Sequence, residues 1–149
     1  MHSGCHKGGS ALNCFAFKCR NVSGGAFAGE AVLSEEAINF YLVDPESGKI
    51  IEEGHSLEGT KIGEKILIFP GDKGSSVVQL DGLYLAAVNG QKPKGFIVQE
   101  MSTVLVSNAI IMEIPLVIDA AEGFYQAVQN GDWIEIESDT IKISHFCPK

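Results

Sequence analysis

Arginine is almost missing from this chain: Arg20 is the only one in 149 residues, and all cations together number 11 against 19 acidic groups, a formal net charge of −8. Nucleic acid is excluded as a partner on that ground, because phosphate contacts need clustered Lys and Arg. An electrostatically held membrane surface is excluded by the same deficit. No run approaches the ~18 apolar residues of a spanning helix. The Rossmann glycine fingerprint is absent, and Gly71-Asp72-Lys73-Gly74-Ser75-Ser76 lacks the spacing of a Walker loop, so ATP and NAD are not expected ligands. Cysteine is scarce too: Cys5, Cys14, Cys19 and Cys147 include no C-x-x-C pair and no cluster-type spacing, so no iron–sulfur cluster is expected in this chain. No charged-then-apolar signal opens the sequence, and the expectation is a cytoplasmic protein with free thiols. His2, Cys5 and His6 are metal-ligating residue types, but their Gly- and Ser-rich setting favours a loose tail over a metal site.

What is present suffices for one packed domain: 45% hydrophobic residues and a mean hydropathy of +0.13. Residues 1–14 read as a flexible extension and 15–149 as a single domain. Alternation over Phe15–Val22 and Ala26–Leu33, separated by Ser23-Gly24-Gly25, predicts two strands paired with each other. Ser34-Glu35-Glu36-Ala37 opens a short helix or turn, and Asp44-Pro45-Glu46-Ser47-Gly48-Lys49 is a reverse turn. Strands are expected at Lys65–Phe69, Gly95–Gln99 and Leu116–Ile118. They alternate with helices at Ser76–Asn89, Thr103–Met112 and Glu122–Gln129. In the first helix Val77, Leu80, Leu83, Tyr84 and Ala87 form the apolar face, and Asn89-Gly90 closes it. A hairpin from Trp133 to Glu137 and Ile141 to Phe146 ends the chain, with Trp133 anchored in the core. Strands bracketing helices imply parallel crossovers. The expected fold is α/β, three layers β/β/α with a central, mostly parallel sheet.

The stretch Lys65–Leu80 carries the most chemistry. A short apolar run ends at Pro70, glycines follow at Gly71 and Gly74, and Ser75 and Ser76 stand where an apolar helix begins. A helix start gathers unpaired N–H groups and the positive end of the dipole, which suits a carboxylate or phosphate. Read alone, a serine there is an ordinary helix cap. Val77 to Leu80 offer no acid or base, so Ser75 and Ser76 are the reactive hydroxyls of this loop. Asp72 and Lys73 read as solvated turn residues, although Lys73 also lies within reach of a ligand. His55, in Glu-Gly-His-Ser, reads as solvent-facing. Glu30, Glu35 and Glu36 read as surface or capping carboxylates.

Several blocks, in their order and spacing, carry a resemblance: Cys19-Arg20, Gly29-Glu-Ala-Val-Leu-Ser34, Asp44-Pro-Glu-Ser-Gly48, Ile66-Leu-Ile-Phe-Pro-Gly71 with Gly74-Ser75-Ser76, and Ala109-Ile-Ile-Met-Glu-Ile-Pro-Leu-Val117. Over about residues 17–143 the chain resembles the small, swivel-domain subunit of the aconitase X dehydratases. The resemblance implies a swivelling β/β/α domain working with a large catalytic subunit that carries the iron–sulfur cluster. The small chain then contributes a serine as the base of a dehydration. By motif that base is Ser75, with Lys73, Gly74 and Ser76 the expected substrate contacts and no metal ligand in this chain. Two departures stand out. Aconitase has an arginine two residues after its serine, where this chain has Val77. Related small subunits commonly have two glycines before the aspartate matching Asp44, where this chain has Leu42 and Val43. Known substrates of the family are 5-phosphomevalonate and cis-3-hydroxy-L-proline; the shortage of arginine leans toward the latter or another small hydroxy acid. A phosphohistidine swivelling domain shares the architecture, but no histidine here sits on a Gly-rich loop before a helix. The rival from another class is a non-catalytic module that binds a small anion or a partner through the same loop.

Overall fold

The computed structural model describes residues 12–22, 25–73 and 76–146. Eight strands are described: β1 (Leu12–Lys18), β2 (Arg20–Asn21), β3 (Phe27–Leu33), β4 (Ile66–Phe69), β5 (Gly95–Val98), β6 (Leu116–Ile118), β7 (Trp133–Glu137) and β8 (Thr140–Phe146). Helices α1 (Ser76–Val88) and α2 (Thr103–Ile111) join β4 to β5 and β5 to β6. Helix α3 (Phe124–Ala127) and a 3-10 turn at Phe40–Leu42 complete the elements. The strand order is β1-β8-β7-β3-β4-β5-β6-β2. Strands β3 to β6 run parallel, β2 lies antiparallel on the edge of β6, and β7, β8 and β1 extend the other side as antiparallel neighbours.

Strands β4 (Ile-Leu-Ile-Phe), β5 (Gly-Phe-Ile-Val) and β6 (Leu-Val-Ile) are buried at every residue, as parallel strands covered on both faces must be. Their successive side chains feed opposite cores, because strand side chains alternate faces. Leu67, Phe69, Phe96, Val98 and Leu116 join Phe40, Leu83, Leu105 and Ala109 on the helical side. Ile66, Ile68, Ile97 and Val117 meet Ile134, Ile136, Ile141, Ile143 and Phe124 on the other. The antiparallel half therefore folds across the back of the parallel half, giving the expected β/β/α layers. The turn at Asp44–Lys49 is also as expected: the Gly48 N–H donates to the Asp44 carbonyl at 2.8 Å, with Gly48 at φ +75°. Gly90, at φ +75°, ends α1, its N–H donating to the Ala87 carbonyl at 3.1 Å.

Six expectations need correction. The two N-terminal strands do not pair with each other: β1 pairs with β8, β2 with β6, and β3 with β4 and β7. The chain breaks at Cys19, whose N–H donates to the Asp139 carbonyl at 2.9 Å, so β1 and β2 serve different edges. The alternating segment also begins earlier, at Leu12 rather than Phe15; residues 1–11, with His2, Cys5 and His6, lie outside the described residues. The buried face of α1 is Gln79, Gly82, Leu83 and Ala86, while Val77 and Tyr84 are exposed. The face turns because Gly82 lets the helix approach the backbone of Phe40 and Tyr41, and because Gln79 reaches in to accept the Phe40 N–H at 2.8 Å. Trp133 is only half-buried; Ile134 and Ile136 take the core positions of β7. Helix α3 is four residues, shorter than expected. Cys14 is disulfide-bonded to a partner outside the described residues, so of the described thiols only Cys19 is free.

Candidate functional site

In an open α/β sheet ligands gather beyond the carboxyl ends of the strands. Here that rim carries the segment Pro70-Gly71-Asp72-Lys73, which runs from β4 toward α1. Gly74 and Ser75 lie outside the described residues, as does the side chain of Ser76, the first residue of α1. The segment before them is held on three sides. The Ile38 N–H donates to the Gly71 carbonyl at 3.1 Å, and the Lys73 N–H returns a bond to the Ile38 carbonyl at 3.1 Å. The Ser102 hydroxyl donates to Asp72 Oδ1 at 3.2 Å while accepting the Leu105 N–H at 3.0 Å as N-cap of α2. Lys73 Nζ pairs with Glu52 Oε2 at 2.7 Å. Asp72 is half-buried against Ser102, a correction to the solvated reading, whereas Lys73 is exposed as that reading expects while it pairs with Glu52. No acidic side chain occupies the first turn of α1 to compete for its positive end.

His55 also departs from expectation. It is 5% exposed, Nε2 lies 3.0 Å from the Ala37 carbonyl, and Nδ1 accepts the Leu57 N–H at 3.0 Å. With Nδ1 accepting, Nε2 is the ring nitrogen that donates, and the ring fastens the stretch of chain leading to Ile38. Glu36 accepts the Ser56 N–H at 2.8 Å, a bond that holds its exposed carboxyl below the usual range. Ser34 closes a tight turn onto Glu36, and Glu30 pairs with Lys65 at 2.8 Å on the surface. The carboxylates therefore do structural work, as their sequence setting suggests.

Beside Pro70, a cleft of about 550 Å³ opens over the ends of β3, β4 and β5, bounded by Ser34, Glu35, Gln99, Tyr125 and Asn130. A depression of about 620 Å³ among Glu64, Lys92, Lys94 and Glu113 lies at the amino ends of the strands, the rim such sheets do not use. The hydroxyl of Tyr125 is buried with no hydrogen-bond partner among the described residues. Sequence periodicity gave no hint of it, since Tyr125 reads as one residue of an amphipathic helix. Burial and then the nearby Asp119 carboxylate push its pKa up to about 12 from an ordinary 10.0. The folded state thus holds this proton more tightly than the unfolded chain; the resulting stability is complete below pH 10 and lost as pH rises toward 12. Alkaline titration followed by tyrosinate absorbance and far-UV circular dichroism is expected to show one tyrosine ionising late, with unfolding in that window. Titration of every tyrosine near 10 with the fold retained would refute this.

Among the described residues no group of His, Cys, Asp and Glu is arranged to hold a metal ion. The Cys19 thiol is pushed up to about 11 by burial and then by Asp139, so it stays protonated at neutral pH. No helix is long and apolar enough to cross a membrane among the described residues.

Residues 16–144 match the aconitase X swivel domain. The chain is 36% identical over 133 residues to the phosphomevalonate dehydratase small subunit of Methanosarcina acetivorans, covering 89% of this chain and 92% of that one. It is 37% identical over 124 residues to the phosphomevalonate dehydratase small subunit of Archaeoglobus fulgidus, covering 83% and 92% respectively. Its fold superposes on the crystal structure of Thermococcus kodakaraensis aconitase X, holo-form, with a TM-score of 0.77 at 31% identity, over 87% of this chain and 98% of that chain.

Proposed function

The chain belongs to the aconitase X swivel-domain family, and from that premise we propose that it is the small subunit of an aconitase X-type dehydratase, bringing Ser75 as the base to a site completed by a large subunit. The observation that carries this reading is the three-sided fixation of Gly71–Lys73. Such fixation serves a loop whose next residues must meet a substrate in one geometry. Eliminating water from a 3-hydroxy acid requires removal of a weakly acidic proton beside the carboxylate. A serine alkoxide does this only if its charge is stabilised, and the N–H groups at the start of α1 supply part of that field. Gly74 and Ser76, with Lys73, are the substrate contacts of this reading. Lys73 keeps donors to spare beyond its bond to Glu52. The iron–sulfur cluster, held by the large subunit, supplies Lewis-acid polarisation of the departing hydroxyl; this chain binds no cofactor, and the pair works in the cytoplasm.

For the substrate, the names of the relatives weigh more than the shortage of arginine, and 5-phosphomevalonate is placed ahead of cis-3-hydroxy-L-proline. The test is co-purification with the large subunit and assay of the pair on both compounds. Dehydration of 5-phosphomevalonate by the pair, and by neither chain alone, is the expected result. A chain that binds small anions but assembles with no cysteine-bearing partner would instead be a binding module.

A further inference from the structure

Helices α1 and α2 break the pattern of a solvent-facing layer. A helix on the outside of a domain turns a charged face to water, and one that is apolar all round is covered. Across the 13 residues of α1 and the nine of α2 the only charged side chain is Asp81, in a chain of which 20% is charged. Leu83, Leu105 and Ala109 already cover the parallel sheet from the inner side of these helices. On the outer side Val77, Tyr84, Leu85 and Val88 of α1, with Ile110 and Ile111 of α2, remain 42–69% exposed. Neither helix is long and apolar enough to cross a membrane. The two pack side by side, so the six form one face. Past Ile110 it continues into a groove of about 440 Å³ floored by Ala109 and Ile114. Side chains of this size and exposure present on the order of 600 Å², the upper end for a patch on a monomer and near the ~800 Å² that one partner brings to a standard interface.

Charge and position select the occupant. Two copies of this chain would bring together two net charges of −8, and a face whose one charge is an aspartate has no cation to offset them. The relatives are small subunits, so a different chain is at hand. Both helices also begin at the carboxyl rim of the sheet, following β4 and β5, and run away from it. A body seated along them therefore stands over the rim where the dehydratase reading puts the shared site. We propose that the outer face of α1 and α2 is the docking surface for the large subunit, which meets it with an apolar, uncharged surface of its own. Tyr84 is the aromatic anchor of that contact, the residue type that dominates interface energetics.

The identity of the partner rests on the dehydratase reading, and the experiment separates the two. The purified aconitase X large subunit of the same organism is titrated calorimetrically with the wild-type chain, Tyr84→Ala, Ile111→Lys and Gln126→Glu. Each pair is assayed on 5-phosphomevalonate in parallel. Expected is about 10–100-fold weaker association for Tyr84→Ala and for Ile111→Lys. Gln126, exposed on α3 in the opposite layer, is the control, and Gln126→Glu should bind as the wild type does. The isolated variants should melt with the wild type, since Tyr84 and Ile111 are exposed and a cation suits the C-terminal end of α2. Equal association by wild type, Tyr84→Ala and Ile111→Lys overturns the assignment, and so does a large subunit that binds none of them. Self-association of the wild type that Tyr84→Ala abolishes, with no large subunit bound, overturns it in favour of a second copy. Weakened association in both variants with no dehydration by the wild-type pair upholds the docking face and sinks the dehydratase reading instead.

Discussion

Replacing Ser75 by alanine is expected to cut turnover of the assembled enzyme by ~10²–10⁴-fold, the usual loss for a positioned acid–base group. Folding and assembly should survive. If the hydroxyl also caps α1, its removal costs only ~0.5–2 kcal/mol, which leaves a domain of ordinary stability folded. The rate and stability effects are thus separable in one variant, read by steady-state kinetics and by thermal melting of the pair. Ser76→Ala is the control. It stands one residue further into the helix, in the chain's other candidate capping position, and should lower stability or affinity more than rate. A Ser75→Ala pair that turns over near the wild-type rate would reduce Ser75 to a cap. The Lewis-acid chemistry would then need a base from the large subunit.

The parts of this fold that were legible in the sequence are those fixed by neighbours in the chain. Strands β4, β5 and β6 announce themselves as unbroken apolar runs, which only burial on both faces explains. Asp44–Gly48 and Asn89-Gly90 carry their turn chemistry locally, and the β7–β8 hairpin alternates as one half-buried ribbon should. What escaped depends on partners distant in sequence. His55 is buried because Ala37 offers its carbonyl to the ring, and Asp72 is engaged because Ser102 caps a helix beginning after the next strand. Neither histidine nor aspartate shows that in its own flanks. The pairing of β1 with β8 joins the two ends of the described chain, so alternation revealed a strand but not its neighbour. The candidate serine was found by motif, and its supports at Ile38, Glu52 and Ser102 only by geometry.

The rotated face of α1 leads to the second large expected effect. Gly82→Ala should destabilise the domain by about 1–3 kcal/mol, as overpacking typically does, and lower its melting temperature by several degrees. A Cβ at Gly82 would stand 2.2 Å from the Phe40 carbonyl oxygen, 2.5 Å from its carbon and 2.7 Å from the Tyr41 nitrogen. These are backbone atoms with no rotamer to change, so the helix itself must move away. Alanine's better helix propensity, worth ~1 kcal/mol over glycine, offsets only part of that cost. Movement also stretches the bond from the Phe40 N–H to Gln79, leaving a buried donor and a buried amide poorly paired. Because α1 begins directly after the loop that bears Ser75, the displacement should reach the chemistry. The assembled variant is expected to lose turnover as well as stability. Asp81→Ala, next to it but on the exposed face of the same helix, should leave both nearly intact. A Gly82→Ala protein that melts at or above the wild-type temperature would show that α1 does not rest on the 3-10 turn as described.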